Sequence, residues 1–405
     1  MKIIFLGPIY NPEEEFKLID ENPGGIGIAS NILQLNLISS LSNEKSTDVK
    51  VFANLPVGNF PNNSNKVFYN SNTYQFKGTT FLETKTINLP FIKHKYRYLQ
   101  LKKMIEEEIL NQQELPIIVF YDLFKVYLDL SIWVKKLYPQ IKTVFIVPDL
   151  IGNLRNSDDY SRLKNIYLKF HTRNYFNTLS KQSGLILISE YMNEIINSER
   201  TVPFLELNGV VNSLEEKPQY FFNKEKRVFM YAGNLSNQYN VKLMVESFVA
   251  MKNYNIELII CGVGQLSEWI SQVSQQNSNI RFYGYVDKQK VKELEKNVDV
   301  IINPRSNNGS YTKYSFPSKN LESLLSGKPV VCFKLPPYKN KFDEVFDYID
   351  DLSIEGFHKK INKYINLTAA ELEAIGRNNY KFVVENFGLR NTQKKLLDFL
   401  SNLKR

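Results

Sequence analysis

Short apolar runs recur at residues 2–6, 49–53, 116–121, 143–147, 184–188 and 204–207, separated by longer stretches whose apolar residues return at helical spacing. A second series follows at 228–232, 256–261, 280–283, 298–303 and 329–333. This alternation is the strongest constraint on the fold. Parallel neighbours in a sheet need a crossover between them, and an amphipathic helix supplies one while covering a sheet face. The expected class is therefore α/β with two doubly wound parallel sheets facing a cleft. The first domain is expected over 1–211, a polar linker over 212–226 and the second domain over 227–385. Residues 54–80, rich in Asn, Ser, Thr and Gly, read as a loop or irregular hairpin.

A chain of 405 residues with 43% hydrophobic content is long enough for two sizeable cores. Its 51 Lys and Arg against 42 Asp and Glu give a net charge of +9, which points to an anionic partner. Nucleic acid is disfavoured, because no recognised binding module accompanies the charge. Two cysteines, Cys261 and Cys332, sit inside strand-like runs and suggest a reducing compartment rather than a disulfide framework. His94, His171 and His358 lack ligand spacing, so no metal site is expected. No apolar run approaches membrane-spanning length, and the opening residues read as a strand ending at Gly7-Pro8 rather than as a leader.

The most informative motif spans 314–329, Tyr-Ser-Phe-Pro-Ser-Lys-Asn-Leu-Glu-Ser-Leu-Leu-Ser-Gly-Lys-Pro. Pro317 suits a first helical turn, and Gly327 with Pro329 ends the helix. Lys319 and Glu322 share a face near the amino end, where unpaired N–H groups and the macrodipole favour an anion.

This segment resembles the nucleotide-binding signature of the retaining glycosyltransferases of family four, in the Ser-Phe-Pro-Ser-Lys variant of bacterial polysaccharide-assembly enzymes. The resemblance implies two Rossmann-like domains in the GT-B arrangement, with residues 386–405 forming a helix that returns to the first domain. It implies that Glu322 holds a nucleotide ribose, with Ser315, Phe316, Pro317, Ser318 and Lys319 beside the donor. Tyr314 stands where the family's usual form has a second Glu.

Further motifs fall between strands and helices. Gly233-Asn234 follows the run 228–232 and resembles a family phosphate loop, although Asn234 stands where relatives carry Arg; Lys242 belongs to a helix face. Gly262 and Gly264 form a second turn, equally compatible with tight strand-to-helix packing. Tyr285 matches a loop that in relatives lies against the nucleobase. Arg305, after a strand end, is the candidate to join Lys319 on the donor diphosphate. In the first half, Gly24 and Gly25 precede a helix and resemble the family's Gly-Gly loop against the donor. Asp149 is the candidate to orient the acceptor or take its proton, although a helix cap explains it as well. Glu206 is a weaker candidate. Basic residues among aromatics at 91–103, and Arg162, Lys164, Lys169, Arg173 and Lys181, suit an anionic membrane or a lipid-pyrophosphate acceptor.

The expected function is retaining transfer of a sugar from a nucleotide sugar, UDP-linked, to a glycan or lipid-linked saccharide in bacterial surface polysaccharide synthesis. The expected location is the cytoplasm, at the inner face of the membrane. The nucleotide sugar is a substrate, and neither cofactor nor metal is expected. The alternatives are a catalytically degenerate binding subunit and a nucleotide-sugar 2-epimerase.

Overall fold

The computed structural model describes residues 1–404 apart from 44–45, 112–113, 151–171, 214–216, 223–225 and 252–254. Arg162, Lys164 and Lys169 of the second basic series lie outside the described residues, as does part of the expected linker. The chain divides into two compact units. One comprises Met1–Val210, Tyr314–Phe316 and Leu389–Arg405, the other Val211–Lys313 and Pro317–Gly388.

The first unit runs β1 (Lys2–Gly7), α1 (Glu15–Glu21), α2 (Ile28–Ser42), β2 (Asp48–Ala53), β3 (Phe68–Tyr69), β4 (Asn72–Phe76), β5 (Thr79–Glu83), β6 (Thr86–Ile87), α3 (Ile92–Leu110), β7 (Ile117–Tyr121), α4 (Lys125–Leu137), β8 (Lys142–Val147), β9 (Gly184–Leu187), α5 (Tyr191–Ile196) and β10 (Phe204–Glu206), and ends with the helix Leu389–Asn402. Its main sheet has the order β10-β9-β8-β7-β1-β2-β5-β4, parallel except for the β4–β5 pair. Strand alternation sends Ile4, Leu6, Phe120 and Phe145 to one face, against Leu101, Ile105, Leu130 and Val134 of α3 and α4. Ile3, Phe5, Val51 and Val119 face the other way, against Leu37, Ile38 and Leu41 of α2 and Leu396 and Leu400 of the last helix. A parallel sheet covered on both faces explains the near-continuous apolar runs of the sequence.

The region expected as a loop or irregular hairpin does contain a hairpin, β4–β5, turning through Lys77 and Gly78, both at positive φ. Its second strand goes further than the expectation: β5 pairs parallel with β2 and extends the main sheet. Glu83 ends β5 only 5% exposed, and burial, then Glu14, pushes its carboxyl up to about 8 while Lys17 opposes.

The second unit runs β11 (Arg227–Ala232), α6 (Val241–Met251), β12 (Ile256–Cys261), α7 (Ser267–Gln276), β13 (Ile280–Gly284), α8 (Lys288–Lys296), β14 (Val300–Asn303), α9 (Ser318–Leu325), β15 (Val330–Cys332), β16 (Phe346–Tyr348), α10 (Ile354–Asn366) and α11 (Ala369–Phe387). All six strands are parallel in the order β13-β12-β11-β14-β15-β16, the arrangement of a dinucleotide-fold domain. One face carries Phe229, Leu258, Ile260 and Ile302 against Val245 and Phe248 of α6 and Phe357 and Ile361 of α10. Met230, Ile259 and Ile301 meet Leu294 and Val298 on the other. At the amino edge Asp299 is fully buried. Its Oδ2 accepts the Val228 N–H at 2.7 Å, and its Oδ1 lies 3.7 Å from Arg227, whose guanidinium also donates to the Tyr364 and Leu367 carbonyls. Asp299 is thus spent on this turn, and β14 begins at Val300 rather than at 298. The three-residue β16 is too short to leave a periodic signal.

Glu83 generates a pH prediction. Its folded value, about 8, exceeds the ordinary 4.5, so the native state binds the extra proton between those values and stability falls as pH rises through that window. Glu83→Gln should remove this slope and raise stability at pH 8 by on the order of 2–3 kcal/mol, read from urea midpoints at pH 5 and pH 8.

Candidate functional site

In the second sheet the strand order reverses between β11 and β14, and the loops leaving their carboxyl ends flank the crevice where ligands of such sheets bind. Gly233 and Asn234 follow β11, and Arg305 follows β14. Three loops are tied to one another through main chain: Gly233 N–H donates to Cys261 O at 2.9 Å, Leu235 N–H to Val263 O at 3.0 Å and Gly262 N–H to Gly284 O at 2.7 Å. A Cβ on Gly262 would lie 1.8 Å from Gly233 O, and one on Gly264 would lie 2.6 Å from the Leu235 main chain. Packing between the loops thus accounts for both glycines. Asn234 is exposed, and its carbonyl accepts the Tyr231 hydroxyl at 2.8 Å. Tyr285 is 64% exposed beside Gly284. Lys242 lies on its helix face, 3.8 Å from Glu246 and over the Trp269 ring.

Helix α9 starts after Pro317, which occupies the cap position rather than the first turn, and no side chain caps its first N–H groups. Gly327, at φ 72°, follows its end. Asn320 faces inward: its carbonyl accepts from Asn303 Nδ2 at 2.6 Å and its amide donates to the Tyr338 hydroxyl at 2.6 Å. Lys319, Glu322 and Ser318 are exposed. Lys319 Nζ reaches across to the Ala232 carbonyl at 3.1 Å, so the lysine points to the end of β11. Although the residue is exposed, partial desolvation of its ammonium against the end of β11 lowers its pKa, against the pull of Glu322 and Glu295. Arg305 lies over the Tyr239 ring at 5.8 Å, and its loop is fastened by Asn240, whose amide donates to Pro304 O at 3.0 Å and Ser306 Oγ at 2.8 Å. The structure therefore brings Gly233, Arg305, Lys319 and Glu322 to one sheet edge. Tyr314, Ser315 and Phe316 group with the first unit, and the Tyr314 side chain is buried in its core.

Two residues of this edge escaped the sequence reading. Lys288 lies 3.7 Å from Glu322, and Glu295, on the same helix α8, has its carboxyl pushed up to about 7 by burial and then by Glu322, with Lys292, Lys288 and Lys319 opposing. In the sequence both are hidden in a charged run, Lys-Gln-Lys-Val-Lys-Glu-Leu-Glu-Lys, that reads as a solvated helix face.

In the first unit the order reverses between β1 and β7. Gly25 has φ 87° with open space around its α-carbon, whereas a Cβ on Gly24 would meet the Asn63 side chain at 2.6 Å. Gly27, at φ 67°, is the cap of α2. Asp149 is exposed just beyond β8. Asp122, directly after β7, was missed, although an acid between a strand end and a helix is the signal that singled out Asp149. It holds φ 73°, a costly conformation for a residue with a Cβ, and its Oδ1 accepts the Leu123 N–H at 2.6 Å. Burial raises its carboxyl to about 6, with Asp149 adding to the rise. Glu206 is instead a structural acceptor: its Oε1 takes the Glu190 N–H and the Asn208 amide, each at 3.0 Å.

Comparison with known proteins agrees with this fold. Sucrose-phosphate synthase from Thermosynechococcus elongatus superposes with a TM-score of 0.68 at 12% identity, over 100% of this chain and 99% of that one. HepE from Anabaena in complex with UDP gives 0.62 at 12% over 99% and 100%. WaaG, a glycosyltransferase involved in lipopolysaccharide biosynthesis, gives 0.61 at 13% over 98% and 99%. No curated protein sequence matches the chain.

The glycine contacts generate a second prediction. Gly262→Ala forces a main-chain clash at φ 140° and should destabilise the second unit by about 3 kcal/mol or more. Gly25→Ala meets open space and should cost only about 1–2 kcal/mol for its positive φ. Thermal melts of the two variants beside the parent check the contrast. The edge built by β11, β14 and α9 lies within residues 212–382, which match the model of the Glycosyl transferases group 1 family.

Proposed function

We propose that this chain is a retaining glycosyltransferase whose second unit binds a nucleotide-sugar donor, UDP-linked, and whose first unit binds a glycan or lipid-linked saccharide acceptor for surface polysaccharide synthesis. The observation that carries this reading is the pairing of Lys319 and Glu322 at the uncapped amino end of α9, on the sheet edge where the strand order reverses. Glu322 can accept both hydroxyls of a ribose. Lys319, Arg305 and the helix N–H groups can neutralise a diphosphate, which gains charge as it leaves, and no metal is required for that task. Support also comes from the group 1 match, from the UDP complex of HepE and from the lipopolysaccharide role of WaaG.

In the reaction the bond from the anomeric carbon to the diphosphate oxygen breaks and a bond to an acceptor oxygen forms on the same face. The acceptor's proton passes to the departing phosphate. Asp122 and Asp149 orient the acceptor at the first sheet's edge, and a carboxyl that titrates near 6 suits hydrogen bonding to a sugar hydroxyl. Isothermal titration of UDP-glucose, UDP-N-acetylglucosamine, GDP-mannose and ADP-glucose tests the donor assignment. One of them should bind, and Glu322→Ala should weaken it at least tenfold, about 1.4 kcal/mol. Binding without turnover by the parent would favour the degenerate-subunit reading, to which Asn234 in place of a cation lends weight.

The membrane partner rests on the start of α3. Phe91 is 96% exposed, Ile92 and Leu99 are half exposed, and Lys95 and Lys103 lie on the outer surface of the same helix. Apolar side chains set among cations suit an anionic bilayer surface. Phe91 sits at φ 66° and ψ −41°, a γ-turn geometry closed by the Ile92 N–H on the Pro90 carbonyl and costly for either residue, so Phe91→Asn removes the ring while leaving the backbone cost much the same. It should lower co-sedimentation with phosphatidylglycerol vesicles about tenfold, with no change on neutral vesicles.

A further inference from the structure

Lys93 and Arg97 stand four residues apart in the first turns of α3 and share a face. That face meets the loop leaving the carboxyl end of β2, the side of a parallel sheet on which ligands bind. Lys93 Nζ donates to Val57 O, to Gly58 O at 3.2 Å and to Asn59 Oδ1 at 3.3 Å. One arm of Arg97 donates to Leu55 O at 2.5 Å and to Thr86 Oγ1 at 3.5 Å, while its Nε is buried with no acceptor among the described residues. Every oxygen that accepts from the two side chains is therefore neutral. Among the described residues neither cation forms an ion pair, and Asp129 of α4 is engaged instead by His94 at 3.0 Å and Lys125 at 2.7 Å.

This arrangement is costly. The first turn of α3 contains no acid, and the macrodipole there disfavours a cation. Burial, then Arg97, lowers the Lys93 ammonium to about 7. Neutral donors could hold the same loop carbonyls, so hydrogen bonding alone does not account for two charges held together. An anion accounts for them, and one with several oxygens also supplies the acceptor that Arg97 Nε lacks.

We propose that Lys93 and Arg97 form a phosphoryl-binding site that takes the phosphate or pyrophosphate group of the acceptor. The inference rests on the acceptor reading of the first unit given above and narrows it, from any glycan to a saccharide that carries a phosphoryl ester. It also divides α3 between two tasks, with Phe91 and Lys95 on its outer surface and the pair at 93 and 97 turned to the strand ends.

The full chain is titrated with geranyl pyrophosphate and with glucose 6-phosphate, beside geraniol and glucose. One phosphorylated probe should bind, and its uncharged counterpart should bind about tenfold more weakly or worse. Preference for the pyrophosphate marks a lipid-linked acceptor, and preference for the monophosphate a soluble one. Lys93→Gln and Arg97→Gln keep a donor for the loop carbonyls but remove the charge, and each should weaken the bound probe about tenfold. Arg97→Lys should bind within about threefold of the parent. Lys102→Gln, which removes a lysine 3.7 Å from Glu106 on the same helix, should bind as the parent does. Thermal melts establish that each variant is folded. Equal losses in Arg97→Lys and Arg97→Gln would reduce the arginine to a brace for the loop, and a loss in Lys319→Met with none in Lys93→Gln would put the phosphate on the second unit; either result overturns the inference. So does failure of the folded parent to bind both phosphorylated probes, which leaves the donor reading standing where a nucleotide sugar still binds.

Discussion

The proposed donor edge depends on a hydrogen-bonded chain beneath it. Asn303 at the end of β14 donates to Asn320, which in turn donates to the buried Tyr338 hydroxyl. Helix α9 is short and uncapped, so little intrinsic stability holds it in place. The buried amide fixes the rotation of the helix instead: with Asn320 turned inward, Lys319 and Glu322 must face out over the strand ends. A buried amide satisfied on both sides specifies one orientation more sharply than apolar packing does, since any rotation leaves polar groups unpaired. At the other end Gly327 turns the chain, and a Cβ on Gly376 of α11 would lie 2.0 Å from the Gly327 carbonyl, so the helix is closely seated there too.

Each unit holds an acid whose charging the fold opposes. Asp122 in the first unit and Glu295 in the second each sit beside another carboxylate, Asp149 and Glu322 respectively, with burial the larger cause of the upward shift. Lys288, Lys292 and Lys319 are the cations acting on the second pair, a surrounding that suits an anion.

Much of the fold was legible because both sheets are parallel and covered on two faces, which writes each strand as an apolar run and each crossover as an amphipathic stretch. The elements that were missed are those without such a pattern. β5 lies in a polar region and gains its place by pairing with β2, a long-range contact that local sequence does not encode. The site was legible where chemistry and turn residues coincide, as in the segment around Lys319 and Glu322. It was illegible at Lys288, which meets Glu322 from within a run of charges that reads as a solvated helix face. Glu206 shows the converse: an acid at a suggestive position whose oxygen is consumed by its neighbours' N–H groups.

The contact between Gly262 and Gly233 has an evolutionary consequence. Since no side chain fits between these loops, the floor of the second unit's crevice is closed to mutational exploration, and its shape is inherited rather than tuned. Under the proposed function, divergence in the accepted ligand would then be recorded on the walls, at positions such as 285, 305, 319 and 322 and on helix α8. A lineage could rewrite its ligand preference there while its loop glycines stayed unchanged, so those glycines identify the architecture and carry little information about the substrate.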